Sequence, residues 1–296
     1  MIIDCHAHAY MFPKILPTPF SRTTFLSVEE QIAVMDENGI DKAVILSLNG
    51  AECPAENQSI GEVLEMSANY PGRFIPFCNI DPRLPKRPDL IKLEDFLFPL
   101  EQYKALGCKG LGEVISRVSW QDPSMLLLME ACQKVNFPVT FHTITENFDG
   151  YGVIDNLGLH GLENILQRFP DLKLLGHSTA FWNEISSDIT EESKHRYPAS
   201  KVIPGGRLIE LMRKYHNLYG DISAESGLLA LSRDPEHAFR FIEEFQDRLL
   251  LGLDICSRNQ EVKHIRWLTD AKSNGQISSR AFDKIMYGNI SRILNL

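Results

Sequence analysis

Residues 1–8 read MIIDCHAH, an apolar start that closes on two histidines one residue apart. Side chains along an extended chain alternate between faces, so His6 and His8 are expected to point the same way. At the end of a buried strand, two such imidazoles are placed to hold one metal ion. Asp4 has the same parity one step deeper, which suits it to orient a ligand histidine. A His-x-His pair by itself is also a common surface motif, so its weight depends on the rest of the chain.

Seven further apolar runs follow: 40–48 (IDKAVILSL), 74–81 (FIPFCNID), 108–115 (CKGLGEVI), 138–143 (PVTFHT), 173–178 (KLLGHS), 218–223 (LYGDIS) and 249–256 (LLLGLDIC). Near-continuous hydrophobicity is the pattern of strands buried on both faces. Helical patterns separate them. Segment 28–38 ends at Gly39, 58–70 ends before Pro71-Gly72, and 122–136 opens on Asp122-Pro123. The others are 155–168, 205–215, 234–246, 258–273 and 279–294. This alternation predicts an α/β fold with a parallel sheet, and eight units predict closure into a (β/α)8 TIM barrel of the metal-dependent hydrolase type. A doubly wound open sheet is the alternative. No linker, repeat or low-complexity tract interrupts the chain, so 1–296 is expected to be one barrel domain. The long connections 9–27, 82–90 and 179–204 all follow strands, which puts them on the catalytic face of a barrel as candidate substrate walls.

Composition narrows the function. The net charge of −9 argues against a nucleic-acid or anionic-membrane partner, both of which want a basic patch. A small-molecule substrate is the expectation that remains. The six cysteines form no Cys-x-x-Cys pair, and buried reduced thiols in a cytoplasmic protein are expected. The N-terminus lacks the pattern of a signal peptide, and no apolar run approaches the ~18 residues of a membrane span.

Three more strand-like runs close on a polar residue: His142 in PVTFHT, His177 in LLGHS and Asp254 in LLGLD. In a barrel all three fall at the same rim as His6 and His8. A buried polar rim needs partners, and a metal ion supplies them. Nitrogen ligands with a carboxylate and an open position suit Zn2+, or another divalent first-row ion such as Mn2+, Fe2+ or Ni2+. The other histidines (160, 195, 216, 237 and 264) fall in helices or loops and are expected to be solvated or locally bonded. His195 is the main exception, because it sits in the long 179–204 connection with Trp182, Lys194, Arg196 and Tyr197. Arg196, or Arg258 four residues past Asp254, is suited to clamp a substrate carboxylate; a mobile charged surface loop is the plainer reading. Glu225, Tyr151 and Trp120 are further candidates for the pocket wall.

Together these residues make the chain resemble the amidohydrolase superfamily, specifically its amidohydrolase-2 branch. That branch includes aminocarboxymuconate-semialdehyde decarboxylase, resorcylate-type decarboxylases and several lactone hydrolases. The likeness runs from the His-x-His to MYGNISRIL (286–294), which is similar to the branch's Gly-Asn-x-x-Arg ending. It implies His6, His8 and His142 as metal ligands. It implies His177 as a ligand of a second ion or a polariser of substrate or water, and Asp254 as a carboxylate that touches metal and moves a proton. Binuclear relatives place a bridging carboxylate on the fourth strand, a role open to Glu113; Lys109 lies earlier and fits less well. Glu113 can equally face outward and pair with a base such as Arg117. An inward Glu113 favours hydrolysis of an amide, lactone or ester, with one or two ions. Decarboxylation of an unsaturated or aromatic acid is the alternative, and a non-catalytic metal-binding barrel is the third reading. Relatives in this branch are often dimers, so a homodimer is expected.

Overall fold

Among the described residues, nine strands carry the architecture: β1 (Ile3–Ala7), β2 (Lys42–Ile45), β3 (Phe74–Pro76), β4 (Leu111–Val114), β5 (Val139–Ile144), β6 (Val153–Ile154), β7 (Leu174–His177), β8 (Leu218–Asp221) and β9 (Leu249–Leu250). The computed structural model describes residues 1–13, 24–54, 56–83, 87, 89–258 and 260–296. All pairings are parallel. One ladder runs β1-β2-β3 and another runs β4-β5-β7-β8-β9, with the two-residue β6 appended to β5. Main-chain hydrogen bonds close both seams between the ladders. Cys78 N–H donates to Gly110 O (3.0 Å) and Gly112 N–H to Cys78 O (2.8 Å) on one side. Cys5 N–H donates to Leu251 O and Asp254 N–H to His6 O, both at 2.8 Å, on the other. The ring is an eight-stranded parallel barrel, as the alternation of runs predicts.

Register decides which side chains face inward. His142 pairs with His177, and Phe141 with Gly176, so the two histidines share the interior face. Leu175, Tyr219 and Leu250 lie on that face below them and form one apolar cluster with Ile3, Cys5, Val44, Leu46, Ile75 and Phe77. Ile290, Ile293 and Leu294 of the last helix join this cluster. The larger apolar cluster lies between strands and helices, built from outward residues such as Ala43, Ile45, Val139 and Phe141 and from helix faces carrying Met125, Leu128 and Phe241.

Two strands break strict alternation. In β1, Asp4 pairs with Ala43 but Ala7 pairs with Ile45, so three steps on β1 match two on β2. In β4, Leu111 pairs with Val139 and Val114 with Phe141, the same three against two. Such a bulge adds one residue and exchanges faces beyond it. Ala43 and Ile45 face outward together, so Asp4 and Ala7 do too, and His6 faces inward. By the same logic Leu111 and Val114 face outward and Glu113 inward. The expectation that Asp4 shares a face with His6 fails for this reason. Gly112 is part of the β4 bulge: its φ is +151°, and a Cβ there would lie 2.9 Å from the carbonyl oxygen of Thr140.

The helices differ from expectation in a few places. Glu94–Ala105 is a helix that buries Phe96 and Leu100, although Pro99 stands in its middle and reads in sequence as a breaker. Ala224–Ser232 is another unforeseen helix. The expected 155–168 helix begins only at His160, because Asp155 instead accepts from Gly161 N–H and Leu162 N–H and caps it from outside. The expected 258–273 helix spans His264–Ser273. The expected 279–294 helix is two α segments, Ser279–Asp283 and Asn289–Leu294, joined by a π turn. All six cysteines are free. Among the described residues, no helix is long and apolar enough to cross a membrane. Of the long connections, residues 14–23 in 9–27, and 84–86 and 88 in 82–90, lie outside the described residues.

The 179–204 connection is pinned from inside, which counts against a mobile surface loop. Lys194 is fully buried, and its ammonium donates to Glu184 Oε1 (2.8 Å), Asp155 O (3.1 Å) and Asn156 O (2.8 Å). Glu184 also accepts from Gly158 N–H at 2.8 Å. Removing one partner of a buried pair strands the other charge, which costs about 3–5 kcal/mol. Lys194→Met is therefore expected to lose stability of that order in urea unfolding, and a loss below about 1 kcal/mol would contradict the pinning role.

Candidate metal centre

His6 and His8 leave the end of β1 with their Nε2 atoms 3.2 Å apart. Their other nitrogens are already used. His6 Nδ1 lies 2.6 Å from Asp221 Oδ2 at the end of β8, and His8 Nδ1 lies 2.9 Å from Leu46 O just past β2. A carboxylate and a carbonyl can only accept, so both Nδ1 atoms carry hydrogen, which in the neutral rings leaves both Nε2 lone pairs facing one another. Two carboxylates converge on the same point. Glu113 Oε2 lies 3.6 Å from His6 Nε2 and 3.7 Å from His8 Nε2. Asp254 Oδ1 lies 3.7 Å and 3.3 Å from the same two atoms.

A second group adjoins the first. Glu113 Oε1 meets His142 Nδ1 at 3.0 Å, and Asp254 Oδ2 lies 3.6 Å from His177 Nε2. The ligand atoms of Glu113, His142 and His177 lie within 4.8 Å of one another, as do those of His6, His8 and Glu113. Glu113 thus has one oxygen toward each group. His177 is fixed from behind by Ser223, whose Oγ is 2.8 Å from Nδ1. Gly252 leaves the room for this backing, since a Cβ there would lie 2.2 Å from Asp221 Oδ1.

Electrostatics follow from this crowding. Burial opposes charge on His6, yet Asp254 and Asp221 outweigh it and hold its pKa well above the usual imidazole value. Burial would raise Glu113, but hydrogen bonds from His142 and His6 hold it well below the usual carboxylate range. Burial would raise Asp254 too, and the charges of His6 and His8 bring it down instead. His177 is pushed down to about 4 by burial and by its neighbour His6. Imidazoles and carboxylates crowded at such distances require a positive charge among them, supplied by a proton on His6 or by a metal ion at their centre. The donor set of imidazole nitrogens and carboxylate oxygens fits a divalent first-row ion.

The centre opens into a cavity of about 400 Å³ whose wall includes His142, His177, Asp254, Phe148, Tyr151, His195 and Tyr197. The structure thus brings together His6, His8, Glu113, His142, His177 and Asp254, with Tyr197 on the wall. The other proposed substrate contacts lie elsewhere. Trp182 is wholly buried, and its indole N–H donates to Asp221 O, so its role is to pack and hold β8. Arg258 is exposed and paired with Glu30. Arg196 is exposed and does not line the cavity, although it follows His195 directly. Trp120 is a core residue, and Glu225 lines a neighbouring cavity that shares Tyr197 and Ala224 with this one. Lys109 is exposed, and Arg117 donates to Glu146 O rather than to Glu113. His160 and His216 are exposed, and His264 is bonded to Ala224 O.

Asp221, not among the residues expected from the sequence, performs the orienting task expected of Asp4. Asp4 Oδ1 instead accepts from the main-chain N–H of His6 and of Leu253, both at 2.9 Å. The signal for Asp221 was present: like Asp254, it closes an apolar strand, in LYGD.

Comparison with known proteins agrees with this architecture. No curated protein matches the chain significantly. Among solved structures, an uncharacterised TIM-barrel protein from Bordetella bronchiseptica aligns over 99% of this chain and 98% of its own, with a TM-score of 0.65 and 18% identity. The 5-carboxyvanillate decarboxylase of Sphingomonas paucimobilis aligns over 100% and 99%, with a TM-score of 0.61 and 15% identity. A probable 2-pyrone-4,6-dicarboxylic acid hydrolase from Acinetobacter baumannii aligns over 100% and 99%, with a TM-score of 0.60 and 13% identity. At such identities the likeness speaks for the fold. The sequence itself matches an amidohydrolase family model over residues 3–296, and the chain belongs to the amidohydrolase family.

Proposed function

We propose that this chain is a metal-dependent hydrolase that cleaves an amide, lactone or ester of a small molecule by attack of water on its carbonyl. The observation that carries this reading is Glu113, whose two oxygens face two separate histidine groups, His6 with His8 and His142. His6, His8, Glu113 and Asp254 would hold one ion, and Glu113, His142 and His177 a second. Zinc suits this nitrogen-rich set, and Mn2+, Fe2+ and Ni2+ accept the same donors. A divalent ion supplies Lewis acidity and lowers the pKa of water from 15.7 to about 7.

The protein's own residues do the rest. Asp221 and Leu46 O hold His6 and His8 with their Nε2 lone pairs toward the centre. Asp254 presents one oxygen to His8 and the other toward His177, on the cavity wall. Its carboxylate takes the proton from the attacking water and returns it to the leaving group. Burial and His6 hold His177 neutral, so its ring keeps a lone pair for the second ion and does not compete for that proton. Phe148, Tyr151 and Tyr197 give the substrate an aromatic wall.

Decarboxylation of an unsaturated or aromatic acid is the second reading, supported by the 5-carboxyvanillate decarboxylase among the similar structures. That chemistry is helped by a cation facing the departing carboxylate. Among the described residues, the cavity wall holds no lysine or arginine, which favours the hydrolase.

Two outcomes follow. Metal content per chain, measured by elemental mass spectrometry on protein purified without chelator or nickel resin, is expected to fall from two ions toward one in Glu113→Gln; equal content in both would remove Glu113 from the site. In a panel of lactones, esters and amides, Asp254→Asn is expected to lower kcat by about 10²–10⁴. Release of carbon dioxide from aromatic acids, with no cleavage anywhere in that panel, would establish the carboxy-lyase instead.

A further inference from the structure

His195 has its protonation fixed by its neighbours. Its Nε2 lies 3.2 Å from Thr145 N and 3.0 Å from Thr145 Oγ1. A main-chain N–H can only donate, so Nε2 holds a lone pair and the neutral ring carries its hydrogen on Nδ1. Burial and the adjoining Lys194 ammonium act in the same direction, pushing the group down to about 4. Nδ1 meets no hydrogen-bond partner among the described residues. The ring lies flat on Phe148, with centroids 3.8 Å apart and planes 9° from parallel. Lys194, its neighbour in sequence, anchors the chain through three bonds in the interior. Phe148 and His195 therefore form a flat stacked pair on the cavity wall beside the metal centre, with Tyr151 and Tyr197 on the same cavity.

We propose that the Nδ1–H of His195 is the recognition donor of this site, bonded to an oxygen acceptor on a planar, ring-bearing substrate such as an aryl ester or an unsaturated or aryl lactone. A flat ligand gains most contact area from the aromatic lining of the cavity, while its acceptor meets Nδ1–H in the plane of the His195 ring. A donor with no protein partner favours a ligand that brings an acceptor to it over one that does not. The inference rests on the hydrolase reading in one respect: the molecule recognised is the one whose carbonyl is attacked.

The test uses acetophenone, a planar aromatic ketone that no hydrolase can cleave, on the metal-reconstituted full chain. Long-range 15N NMR of the imidazoles should show His195 with a protonated Nδ1 and a bare Nε2 from pH 6 to 8. Acetophenone should shift the Nδ1 signal, and methyl cyclohexyl ketone should bind more weakly. His195→Phe keeps a flat ring and removes the donor, so it should weaken acetophenone about three- to tenfold at unchanged metal content. His195→Gln, which restores an N–H, should recover part of that loss. A protonated Nε2, an Nδ1 signal unmoved by saturating acetophenone, or unchanged affinity in His195→Phe would each overturn the proposal. If His195→Phe does not fold, the wild-type NMR titration decides alone. A chain that cleaves no ester or lactone yet shows the Nδ1 shift would lose the hydrolase reading and keep this one.

Discussion

Lone pairs repel, and this barrel aims several of them at one small volume. His6 and His8 face each other through Nε2 at 3.2 Å, with oxygens of Glu113 and Asp254 closing in from two other strands. Such an arrangement is unstable at the bottom of a cleft unless a cation sits in it or a proton substitutes for one. Much of the surrounding structure serves to maintain that unfavourable geometry. Asp221 and the carbonyl of Leu46 lock the imidazole tautomers, Ser223 braces His177, and Gly252 leaves space for the brace. Beneath lies an apolar plug of Ile3, Cys5, Leu46, Phe77, Leu175 and Leu250 that closes the centre to water on that side.

The outer wall of the site follows a related logic. The buried ammonium of Lys194 satisfies two carbonyls of the 155–156 segment and the carboxylate of Glu184. Charge is thus spent inside the loop's own fold, and the cavity surface beside it is left to aromatic rings and hydroxyls. The same segment that sequence reading takes for a charged surface loop becomes a fixed partition.

Much of this was legible in the sequence, because burial on both faces leaves a plain mark. Apolar runs ending in His142, His177 and Asp254 announce barrel strands with a polar rim, and the eight-fold alternation announces the closure. What stayed hidden depends on local backbone detail or on tertiary context. A bulge has no reliable residue signature, so parity counting gave Asp4 a role that belongs to Asp221 and left the direction of Glu113 open. The helix Glu94–Ala105, with Pro99 in its middle, is sustained by tertiary packing of Phe96 and Leu100. Trp182, Arg196 and Arg258 have the chemistry of substrate contacts, but only packing shows that one lies in the core and two lie outside the cavity.

The paired bulges carry one more consequence. Each inserts a single residue into a strand whose remaining positions pair regularly with their neighbours. Losing His6 from β1 or Glu113 from β4 would restore an unbroken ladder, keep the outward apolar faces largely satisfied, and take a donor out of the centre. In lineages of this fold, a three-nucleotide deletion at either place would be a short route from an ion-binding barrel to an ion-free one. Barrel and metal centre are in that sense separately heritable, joined at two positions where the chain is one residue longer than its ladder needs.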